Sequence, residues 1–176
     1  MKKFIAIILC LAMVLTPTLA VDFKDISNSK NQEAIESLYN LGIVEGYNNF
    51  YFEQTANLTR AEACAIIARA LVKEEEIYKN HYDVFNDVSY TSWYRSYIDT
   101  AYRNGYMHGY GDTFGPKDEI TYAQFATILT NILGYRDLTL LDKWPIMNLK
   151  IADHLNLFKN IYYFDVNSFI TREDAA

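Results

Sequence analysis

The chain has 176 residues, of which 51% are hydrophobic and 15% aromatic, and it carries a formal net charge of −6. The charge becomes −8 once Lys2 and Lys3 are set aside with the leader described next, because 14 basic side chains then face 22 acidic ones. Such an acidic surface excludes nucleic acid and anionic lipid as general partners.

The first twenty residues have the pattern of a secretory leader. Lys2 and Lys3 give a basic start, residues 4–15 form an uninterrupted apolar run, and Pro17 breaks the run before a cleavage position at Ala20. This pattern predicts a signal peptide over 1–20, because the apolar run is too short to span a membrane comfortably. The mature protein is therefore expected to be secreted and to have no membrane partner after cleavage.

The mature sequence is built from a repeated unit. The first copy aligns with the second at an offset of 62 residues, which relates Phe23 to Phe85 and Thr59 to Thr121. The third copy stops five residues after Thr171, so we expect a truncated unit. The copies, named unit 1, unit 2 and unit 3 below, span residues 21–72, 83–134 and 144–176.

Each complete unit begins with a predicted amphipathic helix. Its apolar residues recur at spacings of three and four, which is typical of one buried helical face. Gly42 and Gly105 follow and suit the left-handed position that ends a helix. The residues predicted for the buried face are Ala34, Ile35, Leu38 and Leu41 in unit 1 and Tyr94, Ile98, Ala101 and Tyr102 in unit 2.

A second helix is predicted to begin after a threonine in each unit. A threonine with Glu or Gln three residues later forms a capping box, in which each side chain satisfies a free amide of the other residue. This structural role accounts for Thr59 with Glu62 and for Thr121 with Gln124, and Thr171 takes the same position in unit 3. The residues expected in the core are Phe52 and Phe114 before these helices, Ile66, Ile67, Ala70 and Leu71 in unit 1, and Ile128, Leu129, Ile132 and Leu133 in unit 2.

Nothing in the sequence favours an enzyme. His81, His108 and His154 are scattered without the spacing of a metal site. Cys64 is the only cysteine outside the leader, so no internal disulfide is expected, and its apolar helical surroundings predict a small buried hydrophobe. We therefore expect no cofactor, no metal and no catalytic residue.

Arg60 and Arg172 are not explained by helix capping. They follow the cap directly, where the helix dipole makes a cation unfavourable by roughly 0.3–1 kcal/mol. Two interpretations stay open on the residues alone. Each arginine could pair with a carboxylate of an adjacent unit, such as Asp25 or Asp87, or it could join free helix-start amides in holding an external anion.

The ordered motifs of the chain resemble those of the S-layer homology domain. They are Phe-x-Asp-Val/Ile, a tryptophan opening the first helix, Gly-Ile-x-x-Gly-Tyr, a buried phenylalanine and Thr-Arg-Ala-Glu, and they extend from Phe23 to Ala176. Residues 109–116 are also similar to the Gly-Tyr-x-Asp-Gly-x-Phe-x-Pro stretch of that family. The resemblance implies an all-α fold of tandem helix–loop–helix repeats, packed in a pseudo-threefold helical bundle with the third unit incomplete.

The resemblance also implies a function. Domains of this family bind secondary cell-wall polysaccharide non-covalently, often through its pyruvylated sugar, in grooves between adjacent units. They thereby hold proteins at the bacterial cell wall or S-layer. The chain is expected to be such a secreted anchor.

The site residues follow from the family motifs. The motif arginine is the residue that the family uses for its acidic ligand, and this role passes to Arg60 and Arg172. Tyr122 replaces that arginine in unit 2, so its groove is expected to be inactive or to offer only a stacking surface. Asn156 and Asn160 replace both glycines in unit 3, and unit 1 lacks the opening tryptophan, so at most two grooves are expected to bind. The candidate ligand-binding residues are Arg60, Arg172, Tyr122, Trp93, Trp144, Gly46 and Gly109.

A protein-interaction module is the alternative. The repeat would then be an envelope scaffold without a carbohydrate ligand, and its partners would be copies of itself or S-layer neighbours. The 15 tyrosines and 10 phenylalanines fit either function, because aromatic side chains serve protein interfaces and sugar stacking alike.

Overall fold

A computed structural model describes the chain at residues 23–79, 83–139, 141–159, 161 and 164–176. The predicted signal peptide over 1–20 lies outside these residues. Among the described residues, no helix has the length and apolar character needed to cross a membrane.

The described residues form helices joined by turns, with isolated backbone bridges and no sheet. The all-α prediction is confirmed for this part of the chain. Each unit contributes a first helix and a second helix, and a short helix lies in each connection between units. The first helices are α1 (Gln32–Asn40), α4 (Arg95–Arg103) and α7 (Ile146–His154), the second helices are α2 (Arg60–Leu71), α5 (Tyr122–Ile132) and α8 (Arg172–Ala175), and the connecting helices are α3 (Glu74–Ile77) and α6 (Arg136–Thr139).

The helix ends lie where their capping residues predict them. Gly42 and Gly105 follow α1 and α4 with φ of +70°, a conformation that favours glycine. Thr59 and Thr121 form complete capping boxes with the glutamate and the glutamine three residues later. The hydroxyl of Thr171 likewise accepts a hydrogen bond from the amide three residues on. The structural roles predicted for the threonines are therefore confirmed.

Two hydrophobic clusters form the core, one within unit 1 and a larger one shared by all three units. Phe52 and Phe114 are 1% and 0% exposed and lie in the smaller and the larger cluster, as predicted. Cys64 is fully buried, as expected of a small hydrophobe. Burial raises the pKa of its thiol well above the ordinary value, so the thiol stays protonated at neutral pH.

The predicted buried faces are wrong at the helix C-terminal ends. Leu41, Leu71 and Leu133 are 71%, 48% and 53% exposed, and Ala70 and Tyr102 are exposed as well. Helix α2 packs against α4, and its buried side chains lie between Arg60 and Ala68. This helix therefore leaves the core before Ala70 and Leu71.

A closed set of backbone hydrogen bonds joins the three units. The amide of Leu58 donates to the carbonyl of Ile170 at 2.9 Å. The amide of Ile170 donates to the carbonyl of Ile120 at 2.9 Å, and the amide of Ile120 donates to the carbonyl of Leu58 at 3.0 Å. All three residues are 0% exposed. Each unit therefore bonds to both of the others immediately before its threonine cap.

The first amides of each second helix are also satisfied by the neighbouring unit. Arg60 and Ala61 donate to the carbonyls of Asp118 and Pro116 in unit 2, at 2.8 and 3.0 Å. The same pair of bonds recurs from unit 2 to unit 3 and from unit 3 to unit 1. The amides at the first two helix positions are therefore not free to bind an external anion, because backbone carbonyls already accept their hydrogen bonds.

The packing of the larger cluster can be tested at Phe114. The Phe114→Ala variant is expected to lower the free energy of unfolding by about 3–5 kcal/mol, because truncation leaves a cavity in the core. The Phe50→Ala variant, at a side chain that is 57% exposed, is expected to change it by only about 0.5 kcal/mol. Urea unfolding followed by circular dichroism measures both, and equal losses would contradict the assigned packing.

Candidate functional site

Arg172 crosses from unit 3 into the loop of unit 1. Its Nε donates to the carbonyl of Phe52 at 2.9 Å, and its Nη2 donates to the carbonyl of Glu45 at 2.9 Å. Its Nη1 lies 2.6 Å from Oε1 of Glu62, in an ion pair whose side chains are 11% and 24% exposed. The guanidinium therefore joins unit 3 to unit 1 through two carbonyls and one carboxylate.

Arg60 makes the corresponding contacts from unit 1 into unit 2, but without a carboxylate. Its Nε donates to the carbonyl of Phe114 at 2.9 Å, and its Nη2 donates to the carbonyl of His108 at 2.6 Å. Gln124 holds the position that Glu62 has in unit 1, so no described carboxylate pairs with Arg60. The two arginines therefore share a geometry and differ in how their charge is balanced.

Pairing with a carboxylate of an adjacent unit, one of the two interpretations left open by the sequence, is found for Arg172, but the partner is Glu62. The suggested carboxylates Asp25 and Asp87 have other partners. Asp25 accepts hydrogen bonds from the amides of Phe52 and Glu53, at 2.9 and 2.6 Å. Asp87 does the same for the corresponding amides of unit 2. Both carboxylates thus hold the loop that the arginine enters, and backbone amides take the place of the expected cation.

A groove of about 420 Å³ lies between units 1 and 2, and we call it the first groove. Three of the predicted ligand-binding residues line it, namely Gly46, Trp93 and Arg172. Trp93 is 57% exposed, so its ring is available to a ligand. The volume lies within the range of small-molecule sites, and the groove is therefore the strongest candidate site among the described residues.

The first groove holds a local excess of positive charge. Arg172 and Arg69 line it together with their ion-pair partners Glu62 and Glu45, the second pair at 2.9 Å. Lys117 also lines it, is exposed and has no ion-pair partner in the described part of the chain. One uncompensated cation therefore faces the groove of a chain whose net charge is −6.

Sequence reasoning missed Lys117 and Arg69. The family motif contains a signal for the lysine, because Lys117 directly follows the Gly-Pro turn whose carbonyl bonds to the start of α2. Arg69 offers no such signal. It lies one residue before a helix position that was predicted to be buried, and only the packing of α2 turns it towards the groove.

Gly46 and Gly109 are required by packing. A Cβ atom on Gly46 would lie 2.4 Å from the ring of Phe23, and one on Gly109 would lie 2.3 Å from the ring of Phe85. Neither distance is tolerated, so both glycines let an aromatic ring approach the backbone. Gly46 therefore contributes backbone atoms, and no side chain, to the wall of the first groove.

Tyr122 and Trp144 lie outside the first groove. Tyr122 is 5% exposed and stacks on Phe164, with ring centroids 4.4 Å apart. Its hydroxyl donates to Asp174, and burial together with this bond raises the pKa of the phenol. Trp144 donates its indole N–H to the hydroxyl of Thr127 at 2.9 Å. Both side chains therefore contribute to contacts between units 2 and 3.

The sequence model of the S-layer homology domain matches the chain twice, at residues 22–64 and 84–126. Endo-1,4-beta-xylanase A of Thermoanaerobacterium saccharolyticum is 41% identical over 101 residues, which cover 57% of this chain and 8% of that protein. The surface layer protein of Brevibacillus choshinensis is 28% identical over 169 residues, covering 92% of this chain and 15% of that protein. The cellulosome-anchoring protein of Acetivibrio thermocellus is 35% identical over 92 residues, covering 51% of this chain and 21% of that protein.

These similarities confirm the predicted family for the two matched segments. The chain spans no more than 21% of the length of these three relatives. The xylanase is matched only in its S-layer homology region, so the similarity does not extend to its catalytic part.

The ion pair of Arg172 can be tested by replacing Glu62 with glutamine. Glutamine keeps the capping box, as Gln124 does in unit 2, but it leaves the guanidinium without a carboxylate. The Glu62→Gln variant is expected to lower the free energy of unfolding by about 2 kcal/mol. The reverse change, Gln124→Glu, adds a carboxylate near Arg60 and is expected to cause no loss. Urea unfolding of both variants measures this, and an unchanged stability of Glu62→Gln would refute the role of the pair.

Proposed function

Residues 22–64 and 84–126 are S-layer homology domains, and from this premise we propose that the chain is a non-catalytic anchor for an acidic cell-wall polysaccharide. Two relatives are named for a surface layer and for anchoring. These names support a place outside the cell, at the cell wall or S-layer. The secondary cell-wall polysaccharide, with a pyruvylated sugar, is the proposed ligand.

The proposed architecture is a pseudo-threefold bundle of the three units. Three equivalent backbone bonds link Leu58, Ile120 and Ile170 in a cycle. The paired bonds at the start of each second helix follow the same cyclic order. Both observations support an arrangement in which adjacent units enclose the grooves.

The observation that carries the proposed function is the composition of the first groove. The exposed ring of Trp93 offers an apolar face on which a sugar can stack. A guanidinium has five N–H donors, and three of those on Arg172 are used by the protein. Two donors therefore have no protein partner, and Lys117 lines the same groove with an unpaired charge.

The first groove is the main ligand site in this proposal, ahead of the other predicted site residues. Arg60 and Trp144 would belong to a second groove between units 2 and 3, where Trp144 is held by Thr127. Tyr122 is buried against Phe164 and serves the packing of that region. The main proposed ligand contacts are therefore those of Arg172, Trp93, Lys117 and the backbone of Gly46.

A protein-interaction scaffold is the second candidate. It is favoured by exposed aromatic side chains on the loop of unit 1, since Tyr47, Phe50 and Tyr51 are 72%, 57% and 43% exposed. Such residues are enriched in protein interfaces. Copies of the chain or S-layer neighbours would then be its partners.

Binding to isolated wall sacculi separates the two candidates. The purified mature chain is expected to bind sacculi of the bacterium that produces it, and to lose this binding after the polysaccharide is chemically removed. Sedimentation with the sacculi measures the bound fraction. Equal binding to stripped sacculi would rule out the polysaccharide as ligand and support the scaffold.

The acidic nature of the ligand can be tested at Lys117. The Lys117→Gln variant is expected to bind the polysaccharide about 3–10 times more weakly, with a smaller dependence on salt, because one exposed cation is lost. Lys143→Gln removes the same charge from an exposed lysine outside the groove and is expected to bind normally. Calorimetric titration at two salt concentrations measures both, and identical affinities would show that Lys117 does not face the ligand.

A further inference from the structure

A second cavity adjoins the first groove at the far end of α2. It has a volume of about 370 Å³ and lies among the end of α1, the last turn of α2, α3 and α4. Arg69 and Glu45 line both cavities. Because their side chains form an ion pair at 2.9 Å, this pair is the boundary across which the two cavities meet.

A row of hydrogen-bonding groups continues from that boundary into the second cavity. Arg69 Nη2 donates to the hydroxyl of Tyr97 at 3.0 Å, and the hydroxyls of Tyr97 and Tyr78 are bonded at 3.0 Å. The bond to Tyr97, together with burial, raises the pKa of Tyr78 to about 12, so its phenol stays protonated at neutral pH. Tyr78 is 52% exposed and therefore offers both a hydroxyl and part of a ring face to a ligand.

The charge of the second cavity is opposite to that of the first groove. Arg69 is its cationic lining residue, whereas Glu45 and Glu74 contribute two carboxylates. A carboxylate ligand would meet a net negative charge there. Phenol, guanidinium and carboxylate groups together suit the hydroxyls of an uncharged sugar, which both donate and accept hydrogen bonds.

We propose that the second cavity is a subsite for a neutral sugar residue, linked to the acidic residue that occupies the first groove. The proposal rests on the proposed function, because the first groove must hold the same polysaccharide. The boundary pair of Arg69 and Glu45 lies under the link between the two sugars. The protein thereby recognises the order of acidic and neutral residues along one chain.

The length of the ligand tests this subsite. The probes are oligosaccharides obtained by partial hydrolysis of the wall polysaccharide and separated into short fragments, of one acidic residue, and longer fragments. Their affinities for the mature wild-type chain, for Tyr78→Ala and for the control Tyr90→Ala are measured by calorimetry. Tyr90 is 77% exposed and lies outside both cavities.

The subsite is tested by the ratio of the affinity for the long fragment to the affinity for the short fragment. This ratio is expected to fall about fivefold in Tyr78→Ala, through loss of one hydrogen bond and a ring contact, and to stay unchanged in Tyr90→Ala. Retained binding of the short fragment shows that Tyr78→Ala is folded.

An unchanged ratio in Tyr78→Ala would overturn the subsite and leave the proposed function intact. A fall of equal size in the Tyr90→Ala control would also overturn it. If the wild-type chain bound no fragment at all, the proposed function would fail and the subsite with it.

Discussion

The backbone hydrogen bonds that connect Leu58, Ile120 and Ile170 are the constraint on which the rest of the structure depends. A unit of two helices buries too little apolar surface to be stable alone, so its neighbours must supply the missing contacts. The bonds lie just before the threonine caps and therefore fix where every second helix starts. The first groove is bounded by parts of all three units, so it forms only when the units close on one another.

Under the proposed function, the same closure gives the motif arginine two tasks. Arg172 holds two carbonyls of unit 1 and an ion pair with Glu62, and it still faces the first groove. The alternatives left open by the sequence, a structural carboxylate partner or an external anion, are therefore compatible for this residue. The two interpretations can be distinguished at Arg60, because Gln124 stands there in place of an acidic partner. Replacing the arginine itself would disturb packing and binding together, which is why Lys117 is the cleaner probe of the ligand.

The sequence predicted the parts of the fold that local chemistry decides. Glycine is strongly favoured at a left-handed position after a helix, and threonine at the start of a helix. Both were found where expected. The exposed ends of the helices and the amide partners of Asp25 were not predicted, because both depend on contacts between residues far apart in the chain. The family motifs identified Gly46, Trp93 and Arg172 as candidates. These residues come together in one groove only because the three units pack against one another. Arg69 carried no local signal, since its partners Glu45 and Tyr97 lie far from it along the chain.

The most direct test is a nuclear magnetic resonance titration of the two indole N–H signals, because Trp93 and Trp144 are the only tryptophans. The mature chain is titrated with fragments of the acidic wall polysaccharide, and the signals are assigned by replacing each tryptophan with phenylalanine. A ligand in the first groove is expected to cause a saturable shift of the Trp93 signal, with a dissociation constant equal to that found by calorimetry. Saturable binding that leaves the Trp93 signal unmoved would contradict this expectation, because the ligand would then lie outside the first groove.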